Sequence, residues 1–234
     1  MTHPHRLSLG WHFPVLFSLF WAADLAAARV IALEERPMDI ALFEQLYQGG
    51  FVLFLRHGLT DVNQPDHVPV DLDDCATQRP LSAEGHQQMV QIGAFLRLID
   101  WPIHSIYVSP FCRTQDSARG LFGETDWAVD PLLMYTAGMS HAEKAPVIAR
   151  TQELMRQPLP PGQNRFILAH GPNLAETLGY FPPEGTLVIV EPQANDWVYR
   201  ASIRPEQWSP ILEWARSDRA EQQQESEAEP FSVP

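Results

Sequence analysis

A chain of 234 residues, 45% of them hydrophobic, is long enough to bury one sizeable core, and a single domain is the expectation. Its formal charge of -13 excludes the basic footprint that nucleic acid demands, and excludes a whole-molecule field that would draw in an anionic substrate. Any attraction of an anion has to be local.

The first 28 residues are laid out like an export signal. Arg6 closes a short basic region, residues 7–23 are apolar and nearly uncharged, and Ala26-Ala27-Ala28 offers a small-residue cleavage site. Pro14 and Asp24 disfavour a permanent span. The expectation is cleavage and export, with no stable membrane insertion afterwards. An uncleaved membrane anchor is the alternative, and an amphipathic helix a third reading.

Residues 38–47 have helical character and stop at Gly49-Gly50. Phe51 to Leu55 is an unbroken apolar run that ends on Arg56-His57-Gly58, which reads as a buried strand. Arg56 and His57 then stand at its C-terminal end, where open α/β sheets place their chemistry. A charge there needs a partner. An anion fits, with His57 as a nucleophile towards it; the plain alternative is a strand ending in ordinary surface residues.

Residues 61–80 form a loop containing Asp66, His67, Asp71, Asp73 and Asp74. Those residues lack a regular ligand spacing, so the segment reads as a solvated loop and no metal is expected. Ser82 is a helix N-cap, and Met89, Ile92, Phe95, Leu96 and Ile99 form the core face of the helix that follows. A strand over 106–108 leads into Ser109-Pro110 and a helix from about 114 to 121. A short strand at 127–129 and a helix over 141–155 come next, closed by the proline-rich break at 158–162. Strands at 166–169, 186–190 and 197–203, a short helix at 174–178 and a closing helix at 205–216 complete the pattern. Strands alternating with helices predict a three-layer α/β/α sandwich with a mostly parallel sheet, spanning residues 29–218. Residues 219–234 are acidic and polar and read as a disordered tail. The two cysteines, Cys75 and Cys112, are an even count that permits one disulfide in an exported protein. Such a bridge would pin the segment at Arg113 to the 61–80 loop; two buried free thiols are the alternative.

Arg56-His57-Gly58-Leu59-Thr60-Asp61-Val62-Asn63 resembles the Arg-His-Gly-x-Thr-x-x-Asn signature of the histidine phosphatase superfamily, which includes the cofactor-dependent phosphoglycerate mutases. Two further segments resemble that family in the right order. Ser105 to Thr114 looks like its second strand with the Ser-Pro-x-x-Arg-Thr loop, and Phe166 to Asn173 like the strand carrying the second histidine. The resemblance runs from about Gly50 to Trp208. It implies a phosphoglycerate mutase-like fold, a small phosphorylated substrate, no cofactor, and a phosphohistidine formed on His57. It also suggests a bacterial source, which with the export signal points to the periplasm.

In that reading Arg56 and Arg113 clamp the phosphoryl oxygens as planar, permanently charged forks, and His170 adds a donor. Thr60 and Asn63 match positions that contact the phosphoryl group or hold the loop. Arg79, in Gln78-Arg79-Pro80-Leu81-Ser82, reads as structural. One departure concerns the leaving-group acid. Many members carry a glutamate where Asp130-Pro131-Leu132-Leu133-Met134-Tyr135 places Tyr135, and the acid-phosphatase branch carries its acid where this chain has Gly171. Glu184 and Glu143 are the nearest substitutes in sequence, and Glu184 joins the candidate catalytic set. The expected function is a metal-independent phosphomonoesterase. The alternative is a non-catalytic phosphoanion-binding protein that keeps the cradle without the acid.

Overall fold

The computed structural model describes residues 33–124 and 127–217. The export segment over 1–28 and the tail over 219–234 lie outside the described residues.

Helix α1 (Ile40–Gln45) begins at Asp39, whose carboxylate accepts from the Leu42 N–H, and runs into a 3-10 turn at Leu46–Gln48. Gly49 and Gly50 then turn the chain with positive φ values of 72° and 96°, a conformation that glycine adopts freely. Strand β1 (Val52–Arg56) follows in the centre of a six-stranded sheet. The remaining strands are β2 (Ile103–Val108), β3 (Ala128–Val129), β4 (Asn164–Ala169), β5 (Leu187–Pro192) and β6 (Trp197–Ile203). Their spatial order is β3-β2-β4-β1-β5-β6. The four strands from β3 to β1 are parallel, whereas β5 runs antiparallel to β1 and β6 antiparallel to β5.

Side chains alternate across the sheet and so build two apolar layers. Leu53, Leu55, Phe166 and Leu168 face α1, α2 (Ala83–Ile99), α3 (Cys112–Phe122) and the helix at 208–217. Val52, Phe54, Ile167 and Ala169 face α4 (His141–Arg156) and α5 (Gly171–Leu178). Helices on both faces make the three-layer α/β/α sandwich that the alternation predicts. Among the described residues, no helix is long and apolar enough to cross a membrane.

Ser82 caps α2 as expected, its hydroxyl accepting from the Gly85 N–H at 3.0 Å. Gly85 is there for space. A Cβ on it would lie 2.0 Å from the Leu59 carbonyl oxygen, so the chain leaving β1 can pass only over a bare backbone. Helix α3 starts two residues before the expected Thr114, at Cys112, and that position carries the disulfide to Cys75 (Cα–Cα 5.7 Å). The expected bridge is therefore present, and the Cys112 N–H also donates to Gln78 Oε1 at 2.8 Å. The bridge closes a 37-residue separation. Replacing both cysteines with serine is expected to cost about 3–4 kcal/mol of folding stability by chain-entropy reasoning, read from urea unfolding. An unchanged midpoint would show that the reduced loop is already held.

Candidate active site

Topology brings the two histidines together. β1 and β4 are parallel neighbours in register, with Arg56 opposite Ala169, so the next residue of each strand emerges at the same sheet edge. His57 and His170 are those residues, and their rings meet edge to face with centroids 5.2 Å apart. The junction is fixed on both sides: the His57 N–H donates to the Ala169 carbonyl at 3.1 Å, and the Gly185 N–H donates to the His57 carbonyl at 2.8 Å. β2 adds a third strand end. The Ser109 N–H donates to the Leu168 carbonyl, and Ser109 Oγ lies 2.7 Å from His170 Nε2. Gly58 lets this cluster approach α2, because a Cβ there would lie 3.0 Å from both the Gly85 oxygen and Met89 Cγ.

His57 Nδ1 lies 2.9 Å from the Gly58 carbonyl oxygen. A carbonyl can only accept, so Nδ1 carries the proton and Nε2 keeps its lone pair. Burial above all, and then the Arg113 charge, hold His57 well below its ordinary value of 6.5. Burial and the Arg113 charge act likewise on His170, with a smaller contribution from His57. Both rings are therefore neutral at neutral pH.

That neutrality has a measurable consequence. In the unfolded chain each imidazole takes up a proton near 6.5, whereas the folded chain resists doing so until the pH is much lower. Below 6.5 the unfolded state binds more protons, so folding stability is fully present above that pH and declines as the pH falls. Urea titrations at pH about 7.5 and about 5.5 are expected to show the loss, with proton uptake on unfolding at the lower pH. Release of protons instead would contradict the neutral pair.

The arginines are held by different partners. Arg56 donates through Nη1 to the Pro182 carbonyl at 2.6 Å and through Nη2 to Glu184 Oε1 at 3.2 Å, and its guanidinium lies over the Phe181 ring at 4.6 Å. Its Nε is buried and has no hydrogen-bond partner among the described residues. The Arg113 side chain is only 3% exposed and donates to Asp66 Oδ1 at 2.9 Å. Its guanidinium lies 4.6 Å from the Phe111 ring centroid and 5.2 Å from that of Tyr135. Phe111 and Tyr135 also flank His170, at 5.0 and 5.5 Å. Burial holds both arginines below their ordinary pKa, partly offset by Glu184 for Arg56 and by Asp66 for Arg113.

Of the residues expected at the site, Arg56, His57, Thr60, Arg113, His170 and Glu184 gather here. Thr60 donates to Glu184 through its N–H and its hydroxyl, both at 3.0 Å. Asn63 does not join them. It sits exposed on the loop, and its N–H and Nδ2 both donate to Asp61 Oδ1, at 2.9 and 3.1 Å, because a local Asx turn satisfies it. Glu143 is equally local, capping α4 through Ser140. Asp66, read from sequence as part of a solvated loop, instead holds Arg113 across 47 positions, and no local pattern announces such a contact. Phe181 is also new. The two positions at which the sequence resemblance expects a leaving-group acid have aromatic surroundings: Tyr135 stands at one, and a Cβ on Gly171, at the other, would lie 2.9 Å from the Phe181 ring.

Comparison with known proteins agrees with this geometry. The family model described as histidine phosphatase superfamily (branch 1) matches residues 52–135, the stretch from β1 through Tyr135. No curated protein matches the chain at a significant level. An Escherichia coli protein provisionally named an alpha-ribazole-5'-P phosphatase superposes with a TM-score of 0.51 at 13% identity, over 66% of this chain and 97% of its own. The alpha-ribazole phosphatase of Shigella flexneri gives 0.47 at 15% identity, over 64% and 95%. A mycobacterial glucosyl-3-phosphoglycerate phosphatase gives 0.47 at 18%, over 65% and 98%. The stretch that matches the histidine phosphatase superfamily (branch 1) thus carries Arg56, His57 and Arg113, and the likeness to the Escherichia coli structure is one of fold.

Proposed function

We propose that this protein hydrolyses phosphomonoesters without a metal ion, through a phosphohistidine on His57. The observation that carries the reading is His57 itself: Nδ1 is tied to the Gly58 carbonyl, Nε2 keeps its lone pair, and the ring is buried beside Arg56, Arg113 and His170. Nε2 attacks phosphorus in line, the N–P bond forms as the ester P–O bond breaks, and the leaving oxygen departs with the electron pair. Charge on the transferring group spreads over its equatorial oxygens, so catalysis rests mainly on positioned cations. Arg56 and Arg113 supply those cations, and neutral His170 adds a hydrogen-bond donor. Water then attacks the phosphohistidine, releasing orthophosphate and returning neutral His57. The disulfide fits an oxidising compartment, and we extend the proposal to a periplasmic or secreted site of action.

Glu184 enters the mechanism as a positioning residue. Its two oxygens accept from Thr60 N, Thr60 Oγ1 and Arg56 Nη2, so its capacity goes into accepting rather than into donating a proton. With tyrosine and glycine at the two acid positions, the leaving oxygen takes its proton from water. Rates should then depend steeply on leaving-group pKa, and poor leaving groups should lag by about 10²–10⁴-fold.

The test is hydrolysis of a series of aryl and alkyl phosphates with EDTA present. Activity that vanished with chelator would overturn the metal-independent mechanism. Glu184→Gln is expected to reduce the rate by about tenfold across the whole series, as loss of a charge-assisted partner of Arg56 would. A loss that grew with leaving-group pKa would make Glu184 the acid after all. A second reading, phosphoanion binding without turnover, is favoured by Tyr135 and Phe181. Turnover of any one compound in the series excludes it.

A further inference from the structure

The segment from Gln78 to Ser82 carries more than a structural arginine. It lies against the chain leaving β1: Thr60 bridges Leu81, the Asp61 N–H donates to the Pro80 carbonyl, and the Ser82 N–H donates to the Leu59 carbonyl. It is also tied to the start of α3. Asp66 Oδ1 accepts both the Arg79 N–H at 2.8 Å and Arg113 Nη1 at 2.9 Å, and Gln78 Oε1 accepts the Cys112 N–H. Arg79 is therefore anchored by its backbone between the first histidine and the second arginine.

Its side chain has no such anchor. Among the described residues, no carboxylate lies within ion-pair distance of the Arg79 guanidinium, and Nε is buried without a hydrogen-bond partner. Arg56 and Arg113, by contrast, each hold a carboxylate. The Arg79 charge reaches all three neighbours, lowering the proton affinity of His57, Arg56 and Arg113. Three guanidinium groups thus share one half-buried site with two carboxylates, and the unpaired one carries a buried N–H that an anion would satisfy.

We propose that Arg79 is a third anion-binding guanidinium of this site, held unpaired so that it engages an anionic oxygen of the bound phosphoryl compound. The inference rests on the phosphatase reading above and adds a residue to it. The oxygen can belong to the transferring phosphoryl group or to a second anionic group on the substrate, and the two sources are separable.

The experiment compares wild type with Arg79→Met and Arg79→Lys. It measures dissociation constants for vanadate, which has only the oxyanion, and for phosphoglycolate, which adds a carboxylate, together with thermal unfolding and hydrolysis of p-nitrophenyl phosphate. Arg79→Met is expected to bind vanadate about 10- to 50-fold more weakly at an unchanged unfolding midpoint. Arg79→Lys should recover part of that loss, since it keeps the charge and loses the fork. It also carries the comparison should the methionine variant fail to fold. Weakening confined to phosphoglycolate would support the proposal and assign Arg79 to the second anion. Equal affinity of wild type and variants for both ligands would overturn it while the phosphatase reading stands. A wild type that bound neither ligand and hydrolysed nothing would remove both.

Discussion

His57→Ala is expected to lower the rate of aryl phosphate hydrolysis by about 10⁴-fold or more, since removing a nucleophile leaves only binding and transition-state stabilisation. A brief reaction with labelled substrate, quenched without acid, should leave label on wild type that survives alkali and is lost in acid, as a phosphoramidate is. His57→Ala should carry none. His170→Ala should still carry some, because that substitution removes a neighbour and keeps Nε2 of His57 in place. The structure gives the asymmetry a physical basis. His57 is oriented by its own Gly58 carbonyl, whereas His170 already has Ser109 on Nε2. Label found on His170, or equal labelling of both variants, would reverse the assignment.

Arg113→Ala should be nearly as damaging, with kcat/KM falling by about 10³-fold or more, the scale on which a transition-state arginine acts in phosphoryl transfer. Arg113 is held on three sides, by the Asp66 carboxylate and the faces of Phe111 and Tyr135, which leaves its remaining donors pre-aimed. Arg113→Lys should restore only a small part, because lysine offers neither the planar stack nor the fork. Asp66→Asn supplies the contrast: it keeps an acceptor oxygen and removes the charge, so a milder loss than Arg113→Ala is expected. Arg113→Ala within tenfold of wild type would remove Arg113 from the cradle.

The parts of the site that sequence reveals are those set by strand ends. An apolar run that stops at Arg56-His57-Gly58, and another that stops at His170-Gly171, each give the position of a residue along the chain and its place at the sheet edge. The parallel pairing of β1 and β4 then needs no further information to join the histidines. What stayed hidden depends on contacts between segments far apart in sequence. Asp66 meets Arg113 and Phe181 meets Arg56 only after the sheet has formed, and no spacing rule encodes either. Asn63 shows the opposite failure: it matches a motif position, and a turn two residues long claims its side chain. Among the elements, β5 runs antiparallel to β1 because the chain leaving α5 returns to the sheet edge that carries His57, where the Gly185 N–H meets the His57 carbonyl, and so enters β5 from that edge.

The packing at Gly171 limits how this site can change. A side chain at that position would meet the Phe181 ring at 2.9 Å and the Arg56 guanidinium carbon at 3.1 Å. Arg56 is itself pinned by Pro182 and Glu184, so Phe181 is the neighbour that has to move. An aspartate introduced alone at 171 has to push the Phe181 ring off the Arg56 guanidinium, and trimming Phe181 alone uncovers that arginine without supplying a proton. The two substitutions are therefore coupled, with neither beneficial before the other. Room for a proton donor at 171 therefore opens only together with a change at Phe181.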